Sequence, residues 1–144
     1  MRAVIFDIDG TVADITHRRH FVASKPKNWA AFNQTMHMDA PKHDIIAIMD
    51  TFRQENAIIM CSGRGMEWMQ VTMDWLGKHG VVYDRLYMRP VKDYRADNII
   101  KKELLDQIIA DGFEPWLVFD DRDQVVKMWR ENGITCCQVA EGNF

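Results

Sequence analysis

A chain of 144 residues, 47% of them hydrophobic, is long enough to bury a core without disulfides or a structural metal, and its length fits one globular domain. A formal net charge of −3 and a pI of about 5.9 exclude a protein that coats long duplexes, which needs a basic face of many phosphate contacts, but not one that grips a single nucleic-acid end. The apolar runs fall far short of the about 20 residues that span a bilayer, the N-terminus lacks a signal-peptide layout, and the three cysteines show no Cys-x-x-Cys spacing, so a cytosolic protein with reduced packing thiols is expected.

The first predicted strand, Ala3–Phe6, delivers Asp7 and Asp9 to its tip, with Gly10 behind them. Aspartate is depleted in strands and residues i and i+2 share a face, so these carboxylates point the same way. At about 4 Å and an effective dielectric of about 20 their repulsion costs about 4 kcal/mol, which calls for a positive partner. Residues 14–41 follow, with His17-Arg18-Arg19-His20-Phe21 and then Trp29, Phe32 and Met36 at helical spacing. The segment is too long for an ordinary connection and is expected to fold as a small helical insertion over the strand tips. Trp29 and Phe32 are expected in the core. His17 and His20 are expected to pack or face solvent, because the hard cation that suits the carboxylates seeks oxygen.

An amphipathic stretch near 43–55 leads to a strand at Ala57–Cys61, which exits into Ser62-Gly63-Arg64. A helix near 66–79 precedes a strand at Leu86–Met88, and a helix near 98–111, with Asp97 and Lys101 spaced i,i+4 at its start, precedes a strand at Trp116–Phe119. That strand exits into Asp120-Asp121-Arg122, and a helix near 122–132 leads to the last strand, Ile134–Val139. Gly77, Gly80, Gly112 and Gly133 mark helix ends, and Pro90 and Pro115 are placed in connections. Strand alternating with helix predicts an α/β fold: a five-stranded parallel sheet with helices on both faces and right-handed crossovers. In such a sheet ligands bind beyond the carboxyl ends of the strands, where strand order reverses. Asp7 and Asp9, Ser62-Gly63-Arg64, Asp97 with Lys101, and Asp120-Asp121 all fall there, so geometry makes them one site.

Asp7-x-Asp9-Gly10-Thr11, Ser62 ending the second strand, the downstream Lys101 and the late Asp120-Asp121 resemble the four motifs of the haloacid dehalogenase (HAD) superfamily, in order and spacing over the whole chain. The aspartate at +2 is that of its phosphatase branch. A narrower resemblance is to the 3'-phosphatase domain of phage-type polynucleotide kinase/phosphatases. It rests on Ser62-Gly63-Arg64, on Arg95-x-Asp97-Asn98-Ile99-Ile100-Lys101, and on the stretch from Asp120-Asp121-Arg122-Asp123-Gln124-Val125-Val126 to Gly142-Asn143-Phe144; the insertion matches only at Arg18.

The resemblance implies a Rossmann-like HAD fold, one phosphatase domain over 1–144 with a cap insertion at about 14–41, and a magnesium-dependent phosphomonoesterase working through an aspartyl-phosphate. Asp7 is then the nucleophile and Asp9 the general acid and base. Magnesium would be held by Asp7, the backbone carbonyl of Asp9, and one of Asp120 and Asp121, with Asp121 favoured as the direct ligand. Ser62 and Lys101 would stabilise the phosphoryl group, Asp97 would orient Lys101, and Arg18 and Arg64, with Thr11 and Gly63, would bind substrate. The implied substrate is a phosphorylated nucleic-acid end or a nucleoside 3'-phosphate. A nucleotidase or small-metabolite phosphatase is the alternative within the class. Outside it stands a non-catalytic binding module on the same fold, from which loss of Asp7 or Lys101 would be expected. No Gly-x-x-x-x-Gly-Lys-Ser/Thr occurs, so neither an ATP site nor 5'-kinase activity is expected, and no membrane partner is. The oligomeric state is left open.

Overall fold

The computed structural model, which describes residues 1–144, runs in the order β1 (Arg2–Phe6), β2 (Ala13–Asp14), α1 (His20–Ala23), α2 (Trp29–Gln34), β3 (Ala40–Pro41), α3 (His43–Phe52), β4 (Ala57–Gly65), α4 (Met69–Lys78), β5 (Arg85–Arg89), α5 (Asp97–Ala110), β6 (Glu114–Asp120), α6 (Asp123–Glu131) and β7 (Thr135–Gln138). Single 3₁₀ turns stand at Thr16–Arg18, Met36–Met38 and Met66–Trp68. Five strands form a parallel sheet in the order β5-β4-β1-β6-β7. The chain leaves β1 toward β4 and β5 and then crosses to β6 and β7, so strand order reverses beside β1. Asp7 emerges at that point.

Alternation with a period of two divides the core. Ala3 and Ile5 of β1, with Ala57 and Ile59 of β4, pack against Leu105 and Ile108 of α5 and Val125 and Trp129 of α6. Val4 and Phe6, with Ile58 and Met60, pack on the other face against Ile45 and Met49 of α3 and Trp75 and Leu76 of α4. Both faces are covered, which is why the central strands read as unbroken apolar runs. No helix is long and apolar enough to cross a membrane.

Three expectations are corrected. β4 does not stop at Cys61 but runs to Gly65; its pairing with β5 slips between Ser62 and Gly65, so Gly63 and Arg64 form a bulge that turns the Arg64 side chain toward the strand tips. Pro115 lies inside β6 near its start, where a missing N–H is tolerated, and the register with β1 shifts just after it, from Ala3 opposite Pro115 to Val4 opposite Leu117. The insertion is helical only in short pieces and is closed at its base by a ribbon, in which Ala13 pairs with Pro41 and Asp14 with Ala40. Within it Phe32 and Met36 are buried, but Trp29 is 53% exposed, because Phe32 fills the inner face of the one-and-a-half-turn helix they share.

Candidate active site

The backbone N–H of Asp7 donates to the Phe119 carbonyl at 3.0 Å, which extends β1 by one residue and fixes the Asp7 carboxylate at the switch between β4 and β6. Lys101 reaches the same place from the first turns of α5. Its Nζ donates to Asp7 Oδ1 at 2.7 Å and Asp120 Oδ2 at 3.0 Å, and the Thr11 hydroxyl donates to Asp7 Oδ2 at 3.3 Å. Asp120 is fixed by Trp129 Nε1 at 3.1 Å and by the Asp121 N–H at 2.8 Å. Asp7, Asp120 and Asp121 are all buried, and each offers an oxygen within 4.8 Å of the others.

The charge count is unbalanced: three buried carboxylates face one buried ammonium. Burial first and Asp120 second push Asp7 well above the ordinary carboxyl range, against the pull of Lys101. Burial likewise raises Asp121 to about 6, with Asp120 adding to the rise. Burial disfavours the charge on Lys101, but Asp120 and Asp7 outweigh it and hold the ammonium above the ordinary lysine range. Asp121 Oδ2 is buried with no hydrogen-bond donor, a state that costs about 1–3 kcal/mol when nothing compensates it. An all-oxygen donor set, excess negative charge and one unpartnered buried oxygen together fit a small, hard divalent cation such as magnesium. Gly10 permits this arrangement. Its φ is +82°, and a Cβ there would overlap Asp121 Oδ2.

Asp9 lies beside this cluster with 26% of its side chain exposed. Arg18 Nη2 and Arg64 Nη2 each donate to its Oδ1 at 2.7 Å, and Arg64 Nε adds a third contact at 3.1 Å. Asp39 backs the two arginines: it accepts from Arg18 Nε at 2.7 Å and Nη2 at 2.8 Å, from Arg64 Nη2 at 3.4 Å and, depending on tautomer, shares a 2.7 Å bond with His17 Nε2. Arg64 Nη1 donates to Thr72, and Trp75 Nε1 of α4 donates to the Asp39 carbonyl at 2.9 Å. Burial raises the Asp9 carboxyl, but Arg64 and Arg18 reverse that and draw it down to about 2.

The expected sites therefore fall into two groups. Asp7, Asp9, Lys101, Asp120 and Asp121 converge. Ser62 is buried three residues before the end of β4, its Oγ accepting the Arg64 N–H at 3.1 Å with the hydroxyl proton left to donate. The others are placed differently from expectation. Arg18 and Arg64 are buried and donate to Asp9 and Asp39. The Thr11 hydroxyl serves Asp7. The Gly63 carbonyl accepts from Arg89 Nε at 2.8 Å. Asp97 makes no bond to Lys101; it pairs with Arg89 at 3.4 Å and Arg122 at 3.7 Å. Asp39 was not legible in the sequence: it is one aspartate in a loop, and its partner Arg18 lies 21 residues away. His17 turns toward Asp39 and not toward a metal.

The family described as the phosphatase domain of polynucleotide kinase PNKP matches residues 1–144. The chain belongs to this polynucleotide kinase phosphatase family. It is 31% identical over 133 residues to a protein of Autographa californica nuclear polyhedrosis virus named as a bifunctional polynucleotide kinase/RNA ligase, which covers 90% of this chain and 18% of the viral protein. Two structures of the Pnkp1/Rnl/Hen1 complex, one named as an RNA repair complex, superpose with TM-scores of 0.85 and 0.83 at 35% identity, over 99% of this chain and 46% and 43% of the matched chains. This phosphatase-family chain thus spans less than half the length of those relatives. A HAD-like hydrolase from Streptococcus pneumoniae shares the fold, with a TM-score of 0.68 at 13% identity over 94% of this chain and 83% of that one. The sheet, its strand order and the family together make this a HAD-type phosphatase domain with a Rossmann-like fold.

Proposed function

We propose that this domain is a magnesium-dependent phosphomonoesterase that removes the 3'-phosphate from nucleic-acid ends, with Asp7 as its nucleophile and residues 1–144 acting as one phosphatase domain. The observation that carries this reading is the buried Asp7–Asp120–Asp121 cluster on Lys101, with the Asp9 carboxylate pinned beside it. Asp7 attacks phosphorus, the bond from phosphorus to the 3'-oxygen breaks, and an aspartyl-phosphate forms; water then attacks the same phosphorus and frees Asp7. Lys101, whose ammonium has a proton beyond those given to Asp7 and Asp120, and the Ser62 hydroxyl donate to the phosphoryl oxygens as charge builds there. Asp7, Asp121 and the Asp9 carbonyl would hold magnesium, which would supply Lewis-acid polarisation of the phosphate. The unpartnered Oδ2 favours Asp121 over Asp120 as the direct ligand, since Asp120 is already held by Lys101 and Trp129.

With its carboxyl near 2, Asp9 is ionised, the state a base needs, but the arginines that hold it there also weaken it as a proton acceptor. Serving first as the acid for the 3'-oxygen requires the incoming phosphate to compete for the Arg18 and Arg64 N–H groups and so relax their hold on Asp9. The substrate class is supported by the family and by relatives named for polynucleotide kinase, RNA ligase and RNA repair. The three free cysteines suit a reducing, cytosolic setting. The test is phosphate release from 3'- and 5'-phosphorylated oligonucleotides and from 3'- and 5'-mononucleotides, with magnesium or with chelator. Preference for the 3'-phosphorylated oligonucleotide and dependence on magnesium are expected. A preference for 5'-mononucleotides would replace this reading with a nucleotidase.

A further inference from the structure

Three segments far apart in sequence meet at one exposed ring. Phe144 is 56% exposed, and the guanidinium carbons of Arg122 and Arg19 lie 5.2 and 5.4 Å from its centroid. Arg19 follows Arg18, which holds Asp9; Arg122 follows Asp121. Neighbouring α-carbons are only about 3.8 Å apart, so the ring is reached by one residue from each side of the site, the insertion on one hand and the acidic loop on the other.

The last residues are built into this place. Gln138 Nε2 donates to the Asp121 carbonyl at 2.9 Å, the Val139 N–H to the Asp120 carbonyl at 3.0 Å, and the Asp123 N–H to the Gly142 carbonyl at 2.9 Å. Arg122 Nε donates to the Phe144 carbonyl at 2.8 Å. A Cβ on Gly142 would overlap the Asp121 carbonyl, so the close approach is open to glycine alone. The chemistry described above uses none of the side chains of Arg19, Arg122 and Phe144. Both guanidiniums lie over the ring, yet more than half of Phe144 stays exposed, and an exposed ring with permanent cations against it is a pairing that binds single-stranded nucleic acid: rings stack bases whatever their identity, and guanidinium forks take phosphodiester oxygens.

We propose that Arg19, Phe144 and Arg122 form the seat for the terminal nucleotide of the substrate, with its base packed on the exposed part of the Phe144 ring and the phosphodiester on its 5' side held by Arg19, while Arg122, engaged by Asp97 and the Phe144 carbonyl, fixes the ring. This rests on the 3'-end reading above and adds that the seat selects oligonucleotides. A mononucleotide lacks the phosphodiester, and p-nitrophenyl phosphate lacks a nucleobase as well.

The test compares KM and kcat for a 3'-phosphorylated oligonucleotide and for p-nitrophenyl phosphate in the wild type, Phe144→Ala, Phe144→Trp and Arg19→Ala. Phe144→Ala should raise the oligonucleotide KM about ten-fold, the loss typical of one stacked base, with kcat and p-nitrophenyl phosphate turnover unchanged. Phe144→Trp should restore the KM. Arg19→Ala should raise the KM and flatten the slope of log affinity against log salt by about 0.7. Equal loss on both substrates in Phe144→Ala would make the ring a structural clasp and overturn the proposal, as would an unchanged oligonucleotide KM in a wild type that turns the oligonucleotide over. A wild type that hydrolyses p-nitrophenyl phosphate but not the oligonucleotide would remove the 3'-end reading and the seat with it.

Discussion

Asp121→Asn should stabilise the metal-free protein, and by an amount that depends on pH. Asp121 is raised to about 6 from an ordinary value of 3.8, by about two units, and each unit is about 1.4 kcal/mol, so the ionised carboxylate costs the metal-free fold up to about 3 kcal/mol. A carboxyl raised on folding costs nothing while protonated in both states, below about pH 4. The cost grows as pH rises from about 4 to about 6 and is complete above that. Asparagine is uncharged throughout, and its amide can donate to Asp7. Asp7 is raised by burial and Asp120 and, to a smaller extent, by the Asp121 charge itself, so removing that charge also eases Asp7 and acts in the same direction. The assay is urea unfolding in chelator at pH 4 and pH 8. The variant should gain about 2–3 kcal/mol over wild type at pH 8 and lose most of that advantage at pH 4. Added magnesium should then narrow or reverse the order at pH 8, because only the wild type keeps the full ligand set. A variant less stable than wild type at pH 8 in chelator, or an equal difference at both pH values, would refute the account of the acidic cluster.

Asp7→Asn should abolish phosphate release while the circular dichroism spectrum stays native, and Asp9→Asn should slow turnover by about 10²- to 10⁴-fold; substantial activity in purified Asp7→Asn would exclude it as nucleophile. Asp39→Asn leaves Arg18 and Arg64 buried with less counter-charge, and breaking a buried pair costs about 3–5 kcal/mol, so urea unfolding at pH 7 should show a loss of that order; a loss below about 1 kcal/mol would mean that the arginines do not depend on Asp39. Gly10→Ala combines about 1–2 kcal/mol of left-handed backbone cost with displacement of Asp121, and should raise the magnesium concentration for half-maximal activity; an unchanged magnesium requirement would show that Asp121 is not where the cation binds.

The sheet was legible because its central strands are buried and left apolar runs, and the site was legible because polar residues follow those runs at the carboxyl ends. Asp7, Asp9, Ser62, Asp120 and Asp121 are all of this kind. What the sequence did not disclose depends on contacts between distant side chains. Arg18 and Arg64 carry the same charge whether they face solvent or a buried carboxylate, and only the fold shows that Asp39 lies behind both. Asp97 and Lys101 have the spacing of a helix pair, yet Lys101 is drawn inward by Asp7 and Asp120 while Asp97 is taken by Arg89 and Arg122. The bulge at Gly63-Arg64 leaves no signature in an apolar pattern, because a slip in register changes which neighbour a residue meets without changing its type.

The ribbon at the base of the insertion limits how this enzyme can be re-engineered. Residues 15–39 leave the ribbon after Asp14 and rejoin it at Ala40, so the segment contributes both Arg18 and Asp39 to the clamp on Asp9. A chimaera that exchanges this segment for that of a relative therefore also exchanges two of the three side chains that form the clamp around the Asp9 carboxylate. Unless the graft brings an arginine and an aspartate to the same two places, Arg64 alone is left to hold Asp9. The insertion and the Asp9 clamp are thus inherited as a single unit.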